Sequence, residues 1–149
     1  MKITAVKLTL VVMAALGVCW SVLRAQEPSE RSVWDGVFTQ EQASIGQTSF
    51  TQNCATCHGD TLTGADSAPP LAGGEFLSNW NGLTVGDLFE RIRTTMPLNN
   101  PQSLNRENTA RILAFILSFN RFPSGATELP SRTEFLKMIR LDADPPKKK

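Results

Sequence analysis

Cys54-Ala55-Thr56-Cys57-His58 is the stretch on which this chain turns. Two thiols three residues apart, followed at once by an imidazole, can tether a haem. Each sulfur forms a thioether to one vinyl group, and the histidine reaches the iron from the same side. His58 is the only histidine present, so an iron bound here has one candidate imidazole ligand. Other readings compete for the motif. A C-x-x-C pair also serves as a redox dithiol, but that use accompanies a βαβ pattern, which this sequence lacks. A structural zinc site needs four Cys or His ligands. Cys54, Cys57 and His58 make three, and the remaining cysteine, Cys19, lies in an apolar leader. A chance match in a structural protein stays open, because only three positions are fixed; the surrounding elements favour haem.

Around the motif, helix signals dominate and no convincing alternating strand is visible. Thr39-Gln40-Glu41-Gln42 fits a capping box and predicts a helix running to Cys54, so that its end delivers the motif. Ala43, Gly46, Phe50 and Cys54 recur at three-to-four spacing and share a face. From Gly59 to Gly74 the chain is rich in Gly, Pro, Asp, Ser and Thr and reads as an irregular loop. Thr84-Val85-Gly86-Asp87 starts a second helix with apolar positions Val85, Leu88, Phe89 and Ile92. It should stop near Thr95, because Pro97 disfavours helical geometry in the residue before it. The strongest helix is expected over Asn105 to Asn120, with Asn105 as N-cap. Ser131-Arg132-Thr133-Glu134 fits a further capping box, and Asp142 to Lys149 is expected to be disordered.

Length and composition agree with one compact domain. The 149 residues are 41% hydrophobic and 19% charged, ordinary values for a globular protein. The first 25 residues differ: Lys2 and Lys7 precede a nearly unbroken apolar run from Leu8 to Leu23, and a polar segment follows. That is the layout of a secretory signal peptide. Cleavage after Ala25 fits, although Leu23 is bulky for its place, and an uncleaved membrane anchor stays open. Cys19 reads as an inert leader cysteine, since Val18 before it suits lipoprotein cleavage poorly. Without Lys2, Lys7 and Arg24 the mature chain has 12 basic and 14 acidic residues, formally −2. No basic stripe points to nucleic acid. Lys147 to Lys149 read as a solvated terminus.

A haem on His58 has a second axial position. Bis-histidine ligation within the chain is excluded, and methionine is the next candidate, typical of electron-transferring c-type centres and raising their potential. Beyond the leader only Met96 and Met138 remain. Met96 sits just past a predicted helix in Thr94-Thr95-Met96-Pro97, with 37 residues between it and His58, enough chain to reach the far face of the group. Met138 has Phe135 and Leu141 at helical spacing, which suits simple packing. Met96 is the choice, against the alternative of a buried gap-filling side chain.

With these residues assembled, the pattern resembles class I monohaem c-type cytochromes, above all the bacterial periplasmic branch similar to subunit III of cbb3-type oxidases. The resemblance spans Thr39 to Leu129. Gly46 and Phe50 match the positions where the first and last helices of that family cross, with Ile112 and Phe115 as their partners. Ala68-Pro69-Pro70-Leu71-Ala72-Gly73 resembles the family loop after the haem motif. The resemblance implies an all-α cytochrome c fold, three to four main helices around one covalently bound haem c. It further implies that the Pro69 carbonyl accepts the ring N–H of His58, that Leu71 packs on the haem, and that His58 and Met96 are the iron ligands. Trp80 loosely matches an indole near a haem propionate, with core packing as the alternative. The Pro69 role has a physical rationale, because a ligating histidine normally donates its other nitrogen to a carbonyl or carboxylate.

The expected organisation is then a signal peptide or anchor at 1–25, a linker at 26–38, a cytochrome c domain at 39–129 and a C-terminal extension at 130–149. The expected function is that of a periplasmic one-electron carrier rather than an enzyme. Its partners would be redox proteins, a dehydrogenase as donor and an oxidase or another cytochrome as acceptor, with membrane contact only through a retained leader. A dedicated cytochrome subunit of a dehydrogenase, such as a quinoprotein alcohol dehydrogenase, or of an oxidase is the alternative. A haem enzyme or gas sensor would need an open sixth position, which Met96 argues against.

Overall fold

Helices build most of the protein, the three longest of them opened by side-chain caps, and a computed structural model describes residues 31–65 and 68–147. The leader, the start of the expected linker and Lys148-Lys149 lie outside the described residues. Helix α1 covers Gln40–Asn53, α2 Ala55–His58, α3 Gly73–Trp80, α4 Val85–Thr95, α5 Arg106–Phe119 and α6 Thr133–Leu136. Two short strands, β1 (Arg31–Ser32) and β2 (Ile139–Arg140), pair in parallel with Arg31 opposite Ile139. Among the described residues no helix is long and apolar enough to cross a membrane.

The caps explain where the long helices begin. Thr39 Oγ1 accepts from the Gln42 N–H at 3.1 Å, and Asn105 Oδ1 accepts from the Asn108 N–H at 2.8 Å. At α4 the box closes in both directions: Thr84 Oγ1 accepts from the Asp87 N–H at 3.1 Å, and Asp87 Oδ2 accepts from the Thr84 N–H at 3.0 Å. Each such cap satisfies amide groups that the helix itself leaves without partners.

The crossing of α1 and α5 is the centre of the fold. At Gly46 a Cβ would lie 1.8 Å from the Arg111 carbonyl oxygen and 3.1 Å from Phe115 Cβ. Only a residue without a side chain permits that approach. One turn on, the Phe50 and Phe115 rings meet with centroids 5.2 Å apart and a tilt of 54°. Ile112, Leu113, Ile116 and Leu117 are all buried, so α5 is covered on several sides, whereas α4 buries one stripe, Val85, Leu88, Phe89 and Ile92.

Several local expectations are corrected. Gln42 does not close its capping box; its amide donates to Leu129 O at 2.9 Å and accepts from Leu129 N at 2.7 Å. A buried extended segment needs partners for both backbone groups, and one carboxamide supplies both. Ser131 does not cap α6, which starts after Arg132 without a side-chain cap; its hydroxyl faces Glu107 Oε1 at 3.4 Å instead. Helix α3, which begins inside the stretch read as a loop, was hidden by Gly73-Gly74. It buries Phe76.

Both ends of the described chain also differ from expectation. Residues 31–38, expected as linker, put Val33, Val37 and Phe38 into the core. The extension packs back on the same core through Leu136, Ile139 and Leu141. Asp142, expected to be disordered, receives a hydrogen bond from Ser32 Oγ at 3.0 Å on its carboxylate and one from Trp34 Nε1 at 2.9 Å on its carbonyl. The Ala143 N–H reaches Asn81 Oδ1 at 2.9 Å. Long-range pairing of the two ends, which local sequence does not display, accounts for the order.

Candidate functional site

The end of α1 is bent so that the motif forms its own turn. Cys54 leaves helical geometry (φ −126°, ψ −33°) while its N–H still reaches the Phe50 carbonyl at 2.8 Å. The Cys57 and His58 N–H groups then both turn back to the Cys54 carbonyl, at 3.2 and 3.0 Å. Cys54 is half-buried, Cys57 exposed and His58 buried at 7% exposure. Both thiols are free. Burial, reinforced by repulsion from Cys57, pushes the Cys54 thiol up to about 11. It is therefore neutral at pH 7, unlike the low-pKa thiolate of a dithiol redox catalyst.

His58 Nδ1 lies 3.0 Å from the Pro69 carbonyl oxygen. A carbonyl can only accept, so Nδ1 is the donor here, and in the neutral tautomer that makes this bond Nε2 is the nitrogen with the lone pair. The loop that supplies this carbonyl is folded back on the motif. The Gly64 N–H reaches the His58 carbonyl at 3.0 Å, and the Leu71 N–H reaches the Leu62 carbonyl at 2.8 Å. Leu62, fully buried, sits at a left-handed φ of 57°. Asn120, the C-cap of α5, clamps the far side of the loop: its Nδ2 donates to the Leu71 carbonyl at 2.9 Å and its Oδ1 accepts from the Gly73 N–H at 3.0 Å. In the sequence Asn120 marks only a helix end, and nothing local signals the loop contact.

Leu71, Trp80 and Met96 are each half-buried and rest on the hydrophobic core. Trp80 stacks obliquely near Phe76, centroids 6.4 Å apart. Met96 closes α4, its N–H on the Ile92 carbonyl at 2.9 Å. Cys54, Cys57, His58 and Pro69 are thus tied together by hydrogen bonds, and Leu71 follows two residues later. Trp80 and Met96 come to the same core from α3 and α4. Among the described residues no hydrogen bond links their side chains to the motif.

The donor set and its surroundings fit a covalently held haem. Among the described residues, the half-covered apolar side chains resting on the core, apart from Trp34, come from the motif, residues 71–72, α3 or the end of α4: Cys54, Ala55, Leu71, Ala72, Leu77, Trp80 and Met96. Apolar side chains left half-covered in this way suit contact with a flat apolar group. Among the described residues no three His, Cys, Asp or Glu side chains converge on a metal position. One nitrogen and two tethering sulfurs suit a macrocycle that brings its own iron ligands better than a bare ion. A shallow groove between α1 and α5, lined by residues such as Gln47 and Phe119, involves none of the predicted site residues.

Comparison with known proteins bears on the same stretch. Residues 41–116, just over half of the chain, match the family described as cytochrome c oxidase, cbb3-type, subunit III. No curated protein matches. A chain in the crystal structure of the sulfane dehydrogenase SoxCD from Paracoccus pantotrophus is similar, at 27% identity and a TM-score of 0.44. The likeness covers 60% of this chain and 53% of that one, so this chain spans about half the length of the solved chain.

Proposed function

This chain belongs to the family of c-type cytochrome domains described as cytochrome c oxidase, cbb3-type, subunit III, and on that premise we propose that it is a periplasmic one-electron carrier whose haem is held between His58 and Met96. Membership establishes the general terms: the fold is the all-α cytochrome c fold, the cofactor is covalently bound haem c, and the work is haem-based electron transfer. The haem supplies a reversible Fe(III)/Fe(II) couple. The finer reading concerns what this chain's own residues do around it.

The observation that carries the reading is the committed ring of His58. Its Nδ1–H is used by the Pro69 carbonyl at 3.0 Å, so Nε2 is the free ligand atom, and the bond fixes the orientation of the ring. Cys54 and Cys57, free and on the same turn, are the tethers. Met96 would supply a neutral thioether to the opposite side, which favours the reduced state and leaves no coordination position for a substrate. The apolar rim of Leu71, Leu77 and Trp80 would keep water from the group. Export is supported by the basic, apolar and polar order of residues 1–32.

Met96→Ala in the full-length holoprotein tests the ligand assignment. The ferric protein should lose the red charge-transfer band of a methionine-ligated iron, and its reduction potential should fall. An unchanged spectrum and potential would remove Met96 from the site. A second reading, a dedicated cytochrome subunit of a larger oxidoreductase, is favoured by the family description, which names an oxidase subunit. Purification from the host separates the two: a dehydrogenase or oxidase that stays bound through gel filtration supports the subunit, and a free monomer supports the diffusing carrier.

A further inference from the structure

The extension beyond α5 lies outside the stretch that matches the family, yet it is bound along α4 from several directions. At Gly86 a Cβ would lie 2.8 Å from the Lys137 backbone nitrogen and 3.1 Å from the Leu136 carbonyl carbon, so the extension's backbone lies directly against the first turn of α4. Further along, the Thr133 hydroxyl donates to the Glu90 carboxylate and accepts from Arg106 Nη2 at 2.6 Å. Arg106 Nε also donates to the Ser131 carbonyl at 2.8 Å, and its guanidinium lies 5.1 Å from the Phe89 ring centroid. Before α4, the Leu141 N–H reaches the Leu83 carbonyl at 2.8 Å, and the Gly82 N–H reaches the Leu141 carbonyl at 2.9 Å. Leu136, Ile139 and Leu141 are at most 2% exposed.

Helix α4 leads directly into Met96, the extended residue that caps it, whose N–H still bonds the Ile92 carbonyl at 2.9 Å. A helix moves as a rigid rod over its length, here about 13 Å from Gly86 to Thr95 at 1.5 Å per residue. Fixing its first half therefore fixes the point at which the chain passes to Met96. We propose that residues 131–141 form a strap whose grip on α4, through Gly86, Glu90 and Thr133, keeps Met96 on the iron. This rests on the reading of Met96 as the axial ligand. Thr133 and Glu90 are positioning residues: they act on the iron only through the helix. When the strap loosens, α4 samples positions in which Met96 is withdrawn, and an external ligand can take its place. The apparent affinity of that ligand rises in proportion to the withdrawn fraction.

Imidazole binding to the ferric full-length holoprotein, followed by absorbance, tests the strap. Thr133→Val removes the hydroxyl that joins Glu90 to Arg106, and Glu90→Gln removes the carboxylate charge. Either should tighten imidazole binding about tenfold, the scale expected for losing a hydrogen bond to a charged group. Thr133→Ser keeps the hydroxyl and should bind imidazole as the wild type does. Thr39→Ala, which weakens the α1 cap far along the chain, should lower the urea midpoint without changing imidazole affinity. Thr133→Val and Glu90→Gln with wild-type affinity, whether or not their urea midpoints fall, would overturn the strap while leaving Met96 ligation intact. If the wild-type ferric protein lacks the methionine charge-transfer band, the underlying ligand reading fails, and the strap with it.

Discussion

His58 and Asn120 act on the same short loop from opposite sides. His58 holds it at the Pro69 carbonyl, and Asn120 at Leu71 and Gly73. The carboxamide is matched to its place, because its Nδ2 donates to the Leu71 and Ile116 carbonyls while Oδ1 accepts from the Gly73 N–H. Asn120→Ala should lower stability by about 3 kcal/mol, roughly the net value of three hydrogen bonds, read from urea unfolding of the holoprotein. Asn120→Asp keeps the acceptor for Gly73 but sets a carboxylate oxygen against the Leu71 and Ile116 carbonyls at a helix C-terminus. At neutral pH it should therefore be no more stable than Asn120→Ala. The contrast with His58 explains what was legible at this scale. Cys54, Cys57 and His58 announce their chemistry by type and spacing, and Pro69 could be singled out only through resemblance. Asn120 is an ordinary helix-ending residue until the fold brings position 71 to it.

At the scale of elements, the starts of α1, α4 and α5 could be read because capping is decided within four residues. Thr39, Thr84 and Asn105 each bond the amide three positions on. The crossing of α1 and α5 is less local, but Gly46 and Phe50 stand on one helical face and mark it. Gly46→Ala should cost about 3 kcal/mol, the upper end of ordinary overpacking, because the obstacle is the Arg111 backbone carbonyl rather than a movable side chain. Thermal unfolding of the variant checks it. What local reading missed was decided by distant partners. Gln42 turned from its own helix to Leu129, and Ser131 turned from α6 toward Glu107.

Helix α4 also carries a pH dependence. Hydrogen bonds from Thr84 hold the Asp87 carboxyl below its usual range, with Lys137 adding to the effect. Bonds from Arg93 and then Thr133 do the same for Glu90. In both cases the folded state favours the ionised form. Their contribution is therefore complete above the ordinary carboxylate range of about 4 and is lost as pH falls through the lowered folded values. Both groups are largely solvated, so the loss should be modest. Unfolding followed from pH 7 downward should show stability falling in that acid range, with a shallower decline in Asp87→Asn.

For the whole molecule, the two ends of the described chain are fastened together. β1 pairs with β2, and Ser32 and Trp34 both bond Asp142. Neither contact could be read from sequence, since each joins segments more than one hundred positions apart and neither segment carries a periodic pattern. Trp34→Phe should remove the bond to the Asp142 carbonyl while keeping an aromatic ring near Phe122, now 5.0 Å away in an edge-on pair. The expected loss is about 1 kcal/mol, and hydrogen exchange should quicken at both termini together. Faster exchange at one end alone would mean that the ends are not coupled.

With His58 and Met96 both on the iron, the protein carries electrons and offers no position to an external ligand. Carbon monoxide binding to the reduced wild-type holoprotein at neutral pH tests this. Little or slow binding is expected, with rapid binding appearing in Met96→Ala. Rapid and complete binding by the wild-type protein would mean an open iron site and exclude Met96 as its ligand.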